Sequence, residues 1–508
     1  MKTNDFICNL NYFSKTDLKS FENFLLSPYV NTSKSILTVY RMLTSQSEKL
    51  LSEELENLKP VLIAKLNYSE STVVKILSEL NELFVYYSKL QMFAEDKIYG
   101  DYLCCRYLLK QGNYGFLGKR LKKLSKEFTK IENIDEEMFF RLYEKDILQY
   151  GIISTSNDNL NPESKLDKQK KSTCDSALNL MVYTISKVTI NFINYVIQCN
   201  DCKDGENESF PVNMERMFEF INTSEFNSYN AIQKTTIKIF FKAYKLFSKP
   251  LSDRCYNDYK NYFNSINHQY NVSFCRTHIN ILLSYCYMRQ RIQDIKKFYT
   301  SEALAIQYEF FKNGYYKNSI TDYLHPIMFR NYVINCLDAC NKDILYDFVI
   351  NYSEKLNPTE VELMKAFGMA HYYFLNNEYV KSLKELSSLH NPKALYRYDI
   401  NNLIIKNYFE KGDFINVERC LHNYKEYIET DEYLTNYDKE RYNVLVDIMN
   451  AFISKYNKYV SKDKVFVLEH LLIMINEKNS FVMKNWIKNK VTELILNHYK
   501  SHPNKVKK

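Results

Sequence analysis

Tyr373-Phe374-Leu375-Asn376-Asn377-Glu378-Tyr379 and Tyr408-Phe409-Glu410-Lys411-Gly412-Asp413-Phe414 are two copies of one pattern, in which paired aromatics run into a polar turn and a further aromatic opens the next segment. A third turn, Asn341-Lys342-Asp343-Ile344, aligns with them, so the closing residues lie 35 apart from 344 to 379 and again from 379 to 414. Leu386 and Leu421 each fall seven positions after the closing aromatic. Apolar residues recurring at three, four and seven share one helical face. The spacing therefore predicts antiparallel helix pairs: the first helix ends in aromatics, the turn puts an acidic residue at the next helix start, and the second helix returns an apolar stripe. A fixed period of this length is the mark of an internal repeat.

The helix leading into Asn376 is itself well signalled. Asn357 stands as its cap, Pro358 at its first position and Glu360 at its third. Its inward face is expected to be Leu363, Phe367, Ala370 and Phe374, with small Ala370 permitting close helix approach. Earlier residues such as Leu283, Cys286, Ile292, Ile295 and Tyr299 fit the same pattern with drifting spacing.

Composition points the same way. The 508 residues include only 9 Gly and 9 Pro, where average usage of about 7% and 5% implies roughly 60. Hairpin turns and sheet punctuation need these residues, so a large sandwich, barrel or doubly wound sheet is disfavoured. Phosphate-cradling glycine loops are disfavoured for the same reason. Apolar residues make up 45%, with 44 Tyr and 32 Phe, which is ample for a continuous core. Lys and Arg number 68 against 60 Asp and Glu, a dilute net +8 rather than a concentrated basic stripe. Twelve Cys are too sparse for a disulfide framework and fall mostly in apolar helical patterns, as Cys286, Cys336, Cys340 and Cys420 do. Met1 to Asn11 lacks a secretory apolar run, and the longest apolar stretch, Ala177 to Ile197, is broken by Asn179, Lys187, Asn191 and Asn194. The expectation is a cytoplasmic chain with no membrane segment.

Ser14 caps an apolar series at Leu18, Phe21, Phe24 and Leu25 that Pro28 should end by Ser27. A second helix carries Ile36, Leu37, Tyr40 and Leu43, and a third is broken near Pro60. Ser69 then caps the longest periodic stretch, with Val73, Leu77, Leu80, Phe84, Tyr87 and Leu90 spaced three or four apart. Leu103 to Leu109 and the basic helix with Leu117, Leu121, Leu124 and Phe128 are its natural cover. Asp135 caps a helix from Glu136 to Tyr150, with Gly151 expected as its left-handed C-terminal cap. The resulting organisation is an N-terminal helical domain over 1–150, a polar linker or mobile loop over 151–176, a middle helical segment over 177–270, helical repeats over 271–500 and a basic tail over 501–508. The fold class is all-α, a right-handed α-solenoid of antiparallel helix pairs with an N-terminal helical subdomain.

A period near 34 with small residues and paired aromatics resembles tetratricopeptide repeats, although Ser382 and Val417 stand where that motif usually has Ala. The opening Phe21-x-x-Phe24-Leu25-Leu26-Ser27-Pro28-Tyr29-x-Asn31, the Ser71 to Leu90 helix and the C-terminal pairs together resemble a group of uncharacterised bacterial helical-repeat proteins, over about residues 10–150 and 270–460. The resemblance implies an all-helical, tetratricopeptide-like architecture with no assigned activity.

Candidate chemistry is thin. Cys199-Asn200-Asp201-Cys202 has the spacing of a zinc knuckle or redox pair but lacks a second ligand pair or a strand–helix context. Cys275, His278 and Cys286 read as core thiols beside a capped His. Gly112, Gly115 and Gly118 before Lys119 and Arg120 match no nucleotide-binding pattern and read as helix termination and a turn. No metalloprotease helix or nucleophile elbow is present. No catalytic, cofactor or metal residue is assigned, no cofactor is expected, and the chain is read as a non-enzyme.

The leading expectation is a scaffold whose repeats bind a protein or peptide partner, with His371, Tyr372, Asn402 and Lys406 as plausible surface positions. The alternative is a DNA-associated regulator using residues 60–130, where Leu62 to Leu80 reads as helix, turn, helix with Ser71-Thr72 opening the second. Glu79 and Glu82 beside a single Lys75 are repelled by phosphates, which makes nucleic acid an unfavoured partner. Lys119, Arg120, Lys122, Lys123 and Lys126 then read as the solvated face of an amphipathic helix.

Overall fold

The computed structural model describes residues 5–10, 13, 15–45, 58–129, 134–155, 162–201, 210, 212–223, 228–248, 250–290, 292, 295–317, 323–389, 394–432, 434–458, 463–478 and 481–501. Ser14 and nearly all of the basic tail lie outside them. Among the described residues the secondary structure is helical, with isolated bridges at Ile134–Tyr270 and Leu324–Leu356 and no strand. The chain forms two compact units, one of residues 1–132 and 137–180, the other of residues 133–136 and 181–508.

The first unit begins with the helices Asp5–Leu10, Lys15–Leu25, Lys34–Ser45, Leu58–Leu66 and Glu70–Glu95. The opening aromatic motif acquires a physical reason here. Phe21 is fully buried, with Phe6, Tyr40 and Tyr87 rings 5.9, 5.3 and 5.1 Å away. Asn31 donates to the Leu25 carbonyl at 3.1 Å and accepts from the Ser33 amide at 2.9 Å, so one side chain closes a helix and turns the chain toward the next. The stripe on Glu70–Glu95 is covered by these preceding helices, since Val73, Leu77, Leu80 and Tyr87 join Phe6, Phe21 and Tyr40 in one core. This corrects the expectation that the helices after it supply its cover. Lys97–Lys110 and Tyr114–Thr129 instead pack mainly on each other.

The helix Glu136–Thr155 runs through Gly151, which has no positive φ and caps nothing. The stretch 151–176, expected to be a linker, is helical at both ends: residues 162–176 are the first turns of Pro162–Asp201, and 156–161 lie outside the described residues. Pro162 occupies a first helical position, where its missing N–H is no loss. Polar residues then serve as helix packing, because the buried Ser172 hydroxyl donates to the Asp146 carbonyl at 2.6 Å and Asn179 to the Asp146 carboxylate at 3.1 Å. The boundary between units falls at 180/181, inside this helix, rather than at 150. The portion Pro162–Cys199 contains a window of mean hydropathy 1.3, long and apolar enough to cross a membrane by length and composition.

The second unit has no break at 270. Phe240, Tyr259 and Phe263, which precede that position, surround His278 on Val272–Arg289. Helical hairpins come next in order: Pro326–Asp338 with Lys342–Tyr352, Pro358–Leu375 with Tyr379–Ser387, Ala394–Glu410 with Phe414–Thr430, and then Asn436–Lys458, Asp463–Glu477 and Lys484–Ser501. Each helix packs on its chain neighbour, and the first helices of successive hairpins also touch.

The hairpin turns share one geometry. Cys340, Asn377 and Gly412 take φ of 53°, 60° and 72°, the left-handed region. The Glu378 amide donates to the Tyr373 carbonyl and the Asn377 amide to the Phe374 carbonyl, at 2.9 and 3.0 Å. The same pair of bonds recurs from Asn341 and Cys340, and from Asp413 and Gly412. Asn341, Glu378 and Asp413, which close one helix, are also the caps of the next. Equivalent residues are therefore 37 apart (340 to 377) and then 35 (377 to 412), so the alignment that places Ile344 with Tyr379 is two residues out of register.

Close approach within these hairpins falls to Gly368. A Cβ there would lie 2.5 Å from Val349 Cγ2. Ala370 instead offers its carbonyl to the Ser382 hydroxyl at 2.8 Å, while Asn407 donates to Ser382 Oγ at 2.9 Å. Ser382 thus ties three helices together inside the core, a function Ala at that place lacks.

Candidate functional site

The helix Ala394–Glu410 buries Tyr396, Ile400, Leu403, Ile405 and Phe409, and keeps Asp399, Asn402, Lys406 and Glu410 on a separate stripe at spacings of three and four. Arg330, on Pro326–Asp338, grips Asp399 with two nitrogens, Nη2 reaching Oδ1 at 2.9 Å. This fork joins the first and third of three consecutive hairpins, and with both side chains largely shielded it is worth more than a surface pair. At the other end, Glu410 accepts from Trp486 Nε1 at 3.2 Å and pairs with Lys490 at 3.0 Å, both on Lys484–Ser501. Trp486 is the chain's single tryptophan.

Between these two ion pairs sits Lys406. Its ammonium lies 5.8 Å from the Trp486 ring centre, and no carboxylate comes within 4.0 Å of it among the described residues. Loss of water lowers its pKa from the ordinary lysine value, against the more distant pull of Asp338, Asp399 and Glu410. Of the other sequence-predicted surface positions, Asn402 accepts from Tyr424 at 3.0 Å and belongs to the same stripe. Tyr372 stacks obliquely on Tyr346 with ring centres 5.0 Å apart. His371 is buried rather than on the surface: its Nδ1 lies 2.8 Å from the Phe367 carbonyl, and burial pushes its pKa down to about 4.

Cys336 and His371, on the neighbouring helices, are muted as nucleophile and base. Burial raises the Cys336 thiol to about 12 and keeps His371 neutral. The stripe itself combines a guanidinium, two ammoniums, two carboxylates, an indole and the Asn402 amide. Asn402 and Lys406, expected on the surface, are half-buried; Arg330, Asp399, Glu410 and Trp486 are not singled out by the sequence, where the lone Trp is the available signal.

The other clusters resolve as core. Cys275 and Cys286 are buried thiols, with Cys286 within 3.6 Å of the Tyr256 hydroxyl, and His278 Nδ1 meets the Tyr259 hydroxyl at 2.6 Å inside a shell of Phe240, Phe263 and Phe274. Cys199 ends a helix as a free thiol, and Cys202 lies outside the described residues. Gly112 takes φ +70° in a turn built like those of the later hairpins, while Gly115 and Gly118 lie inside the following helix. A depression lined by Asn489, Thr492, Glu493, Leu496, Asn497 and Lys500 runs along one helix only and gathers no chemistry. No family model, curated protein or solved structure matches the chain.

Proposed function

We propose that this chain is a non-catalytic, cytoplasmic scaffold, a right-handed solenoid of tetratricopeptide-like hairpins from a bacterial helical-repeat family, and that its polar stripe holds an acidic segment of a protein partner. The observation that carries this reading is Lys406. A shielded ammonium that Asp338, Asp399 and Glu410 attract only from beyond ion-pair distance is costly, and a carboxylate arriving from outside would relieve that cost between the Arg330–Asp399 and Glu410–Lys490 pairs.

The test is carbodiimide coupling of the intact protein in its native extract, followed by mass spectrometry of peptides joined to Lys406. The expected product is an acidic segment of a stoichiometric partner. Lys406→Arg should keep the partner while losing the covalent link, and Lys406→Glu should lose both. Recovery of the same partner by Lys406→Glu at undiminished yield would overturn the reading.

A further inference from the structure

The hairpin Lys97–Lys110 and Tyr114–Thr129 presents a basic and aromatic surface. On the first helix the exposed positions are Lys97, Tyr99, Arg106, Tyr107 and Lys110. On the second, apart from Gly115, the exposed described side chains are Tyr114, Phe116, Lys119, Lys122, Lys123 and Lys126. Basic and aromatic groups therefore supply nearly all of the exterior, and no acid is fully exposed. The two acids, Asp101 and Glu127, are half-buried, and Asp101 is taken up by Arg120. No aliphatic side chain of the hairpin is fully exposed: Leu108, Leu117, Leu121 and Leu124 are buried, and Ile98, Leu103 and Leu109 half-buried.

The aromatics are presented rather than packed away. Tyr107 is 62% and Phe116 49% exposed. Exposed Phe93 and Tyr99 stack with ring centres 6.3 Å apart, backed by the buried Tyr102 ring 6.0 Å from Tyr99. Lys119, Lys122 and Lys123 fall on one face of their helix, and with Lys126 that row covers roughly 10 Å at about 1.5 Å per residue.

We infer that this hairpin binds single-stranded nucleic acid, with its lysines on the phosphates and its exposed rings under the bases. Such partners require a basic track interleaved with ring faces, and tolerate any sequence because every base has a π-face. A lipid surface would call for more exposed aliphatic bulk than the half-buried Ile98, Leu103 and Leu109 supply. An acidic peptide would use the lysines and leave four exposed rings without purpose. The repulsion from Glu79 and Glu82 belongs to the preceding helix, not to this surface. The inference is independent of the partner proposed for Lys406.

The test is fluorescence anisotropy of the full-length protein with labelled twenty-nucleotide oligothymidylate and oligouridylate, alongside a DNA duplex, poly-glutamate and vesicles of anionic lipid. Both single strands should bind more tightly than the duplex, with affinity falling as salt rises. Neutralising three phosphate contacts in Lys119→Gln/Lys122→Gln/Lys123→Gln should flatten the log–log salt slope by about 2, at roughly 0.7 per contact on single strands. Tyr107→Ala and Phe116→Ala should each weaken binding about tenfold, while Ile415→Ser, at an exposed position of the other unit, should leave it unchanged. Circular dichroism checks that each variant is folded. No binding at low salt, equal affinity for poly-glutamate, tighter association with vesicles, or ring variants that bind as wild type would each overturn the inference.

Discussion

Gly368→Ala measures how tightly two helices of the repeat are pressed together. The added Cβ would stand 2.5 Å from Val349 Cγ2 and 3.2 Å from Cγ1. Val349 is fully buried and β-branched, so it has essentially one rotamer on its helix and cannot swing aside. Overpacking of this kind costs about 1–3 kcal/mol, and removing Gly from a helix interior returns about 1 kcal/mol. The net expectation is a loss of about 1 kcal/mol. Val349→Ala alone deletes two buried methyls and should cost about 2 kcal/mol. Combined, the methyl introduced at position 368 enters the space Val349 leaves, so the double variant should be more stable than the sum of the singles by about 1.5 kcal/mol. Urea unfolding followed at Trp486 reports on this unit, because that ring packs edge-on against Phe409 at 5.1 Å. At slopes of about 1–3 kcal/mol per molar urea, a loss of 1 kcal/mol lowers the midpoint by roughly 0.3–1 M. If Gly368→Ala raised the midpoint, or if the two substitutions added without coupling, the close-approach argument would fail.

The same geometry sets three further outcomes. Cys340 holds a positive φ that L residues adopt at a cost and its side chain is exposed, so Cys340→Gly should stabilise by about 1 kcal/mol and Gly412→Ala should destabilise by a similar amount; opposite signs in urea titrations would contradict the turn geometry. Ser382→Ala removes a donor from the Ala370 carbonyl and an acceptor from Asn407, and should cost about 2 kcal/mol; a neutral result would mean that Ala, as in the usual repeat, serves as well. His278 and His371 are held neutral by burial, at about 3 and about 4 against an ordinary 6.5. Because the unfolded chain takes up these protons first, their stabilising contribution is complete above pH 6.5 and is lost as pH falls below it, by about 1.4 kcal/mol per unit and per group. The urea midpoint should therefore drop between pH 7.5 and 5, and His278→Gln/His371→Gln should flatten that drop; an unchanged slope would refute the assignment.

Much of the helical framework is legible because its signals are local. Ser69, Asn357-Pro358 and the aromatic-to-acidic turns each announce a helix boundary within a few residues, and each boundary stands where those residues put it. The Cys340 turn falls two places out of the aligned register because Cys carries no turn signature, although its backbone takes the conformation of Asn377 and Gly412. Residues 162–176 look like a loop because Ser and Lys resemble one until Asp146, outside that segment, accepts the Ser172 hydrogen bond. Gly368 is an available clue, since a lone Gly inside a helical pattern asks for a packing reason. The polar stripe is legible only in part. Lys406 and Asn402 emerge from helix spacing, but the Arg330–Asp399 fork spans 69 positions and the contact between Glu410 and Trp486 spans 76, distances at which one sequence carries no pairing information.

The turns at Asn341, Glu378 and Asp413 leave no spare residue between one helix and the next. Mechanically, each hairpin is a jointless elbow, and a twist imposed on one helix is handed directly to its neighbour. Length variation at these three turns is then disfavoured, because a single inserted residue would rotate the following helix by about 100° and turn its core stripe to the water.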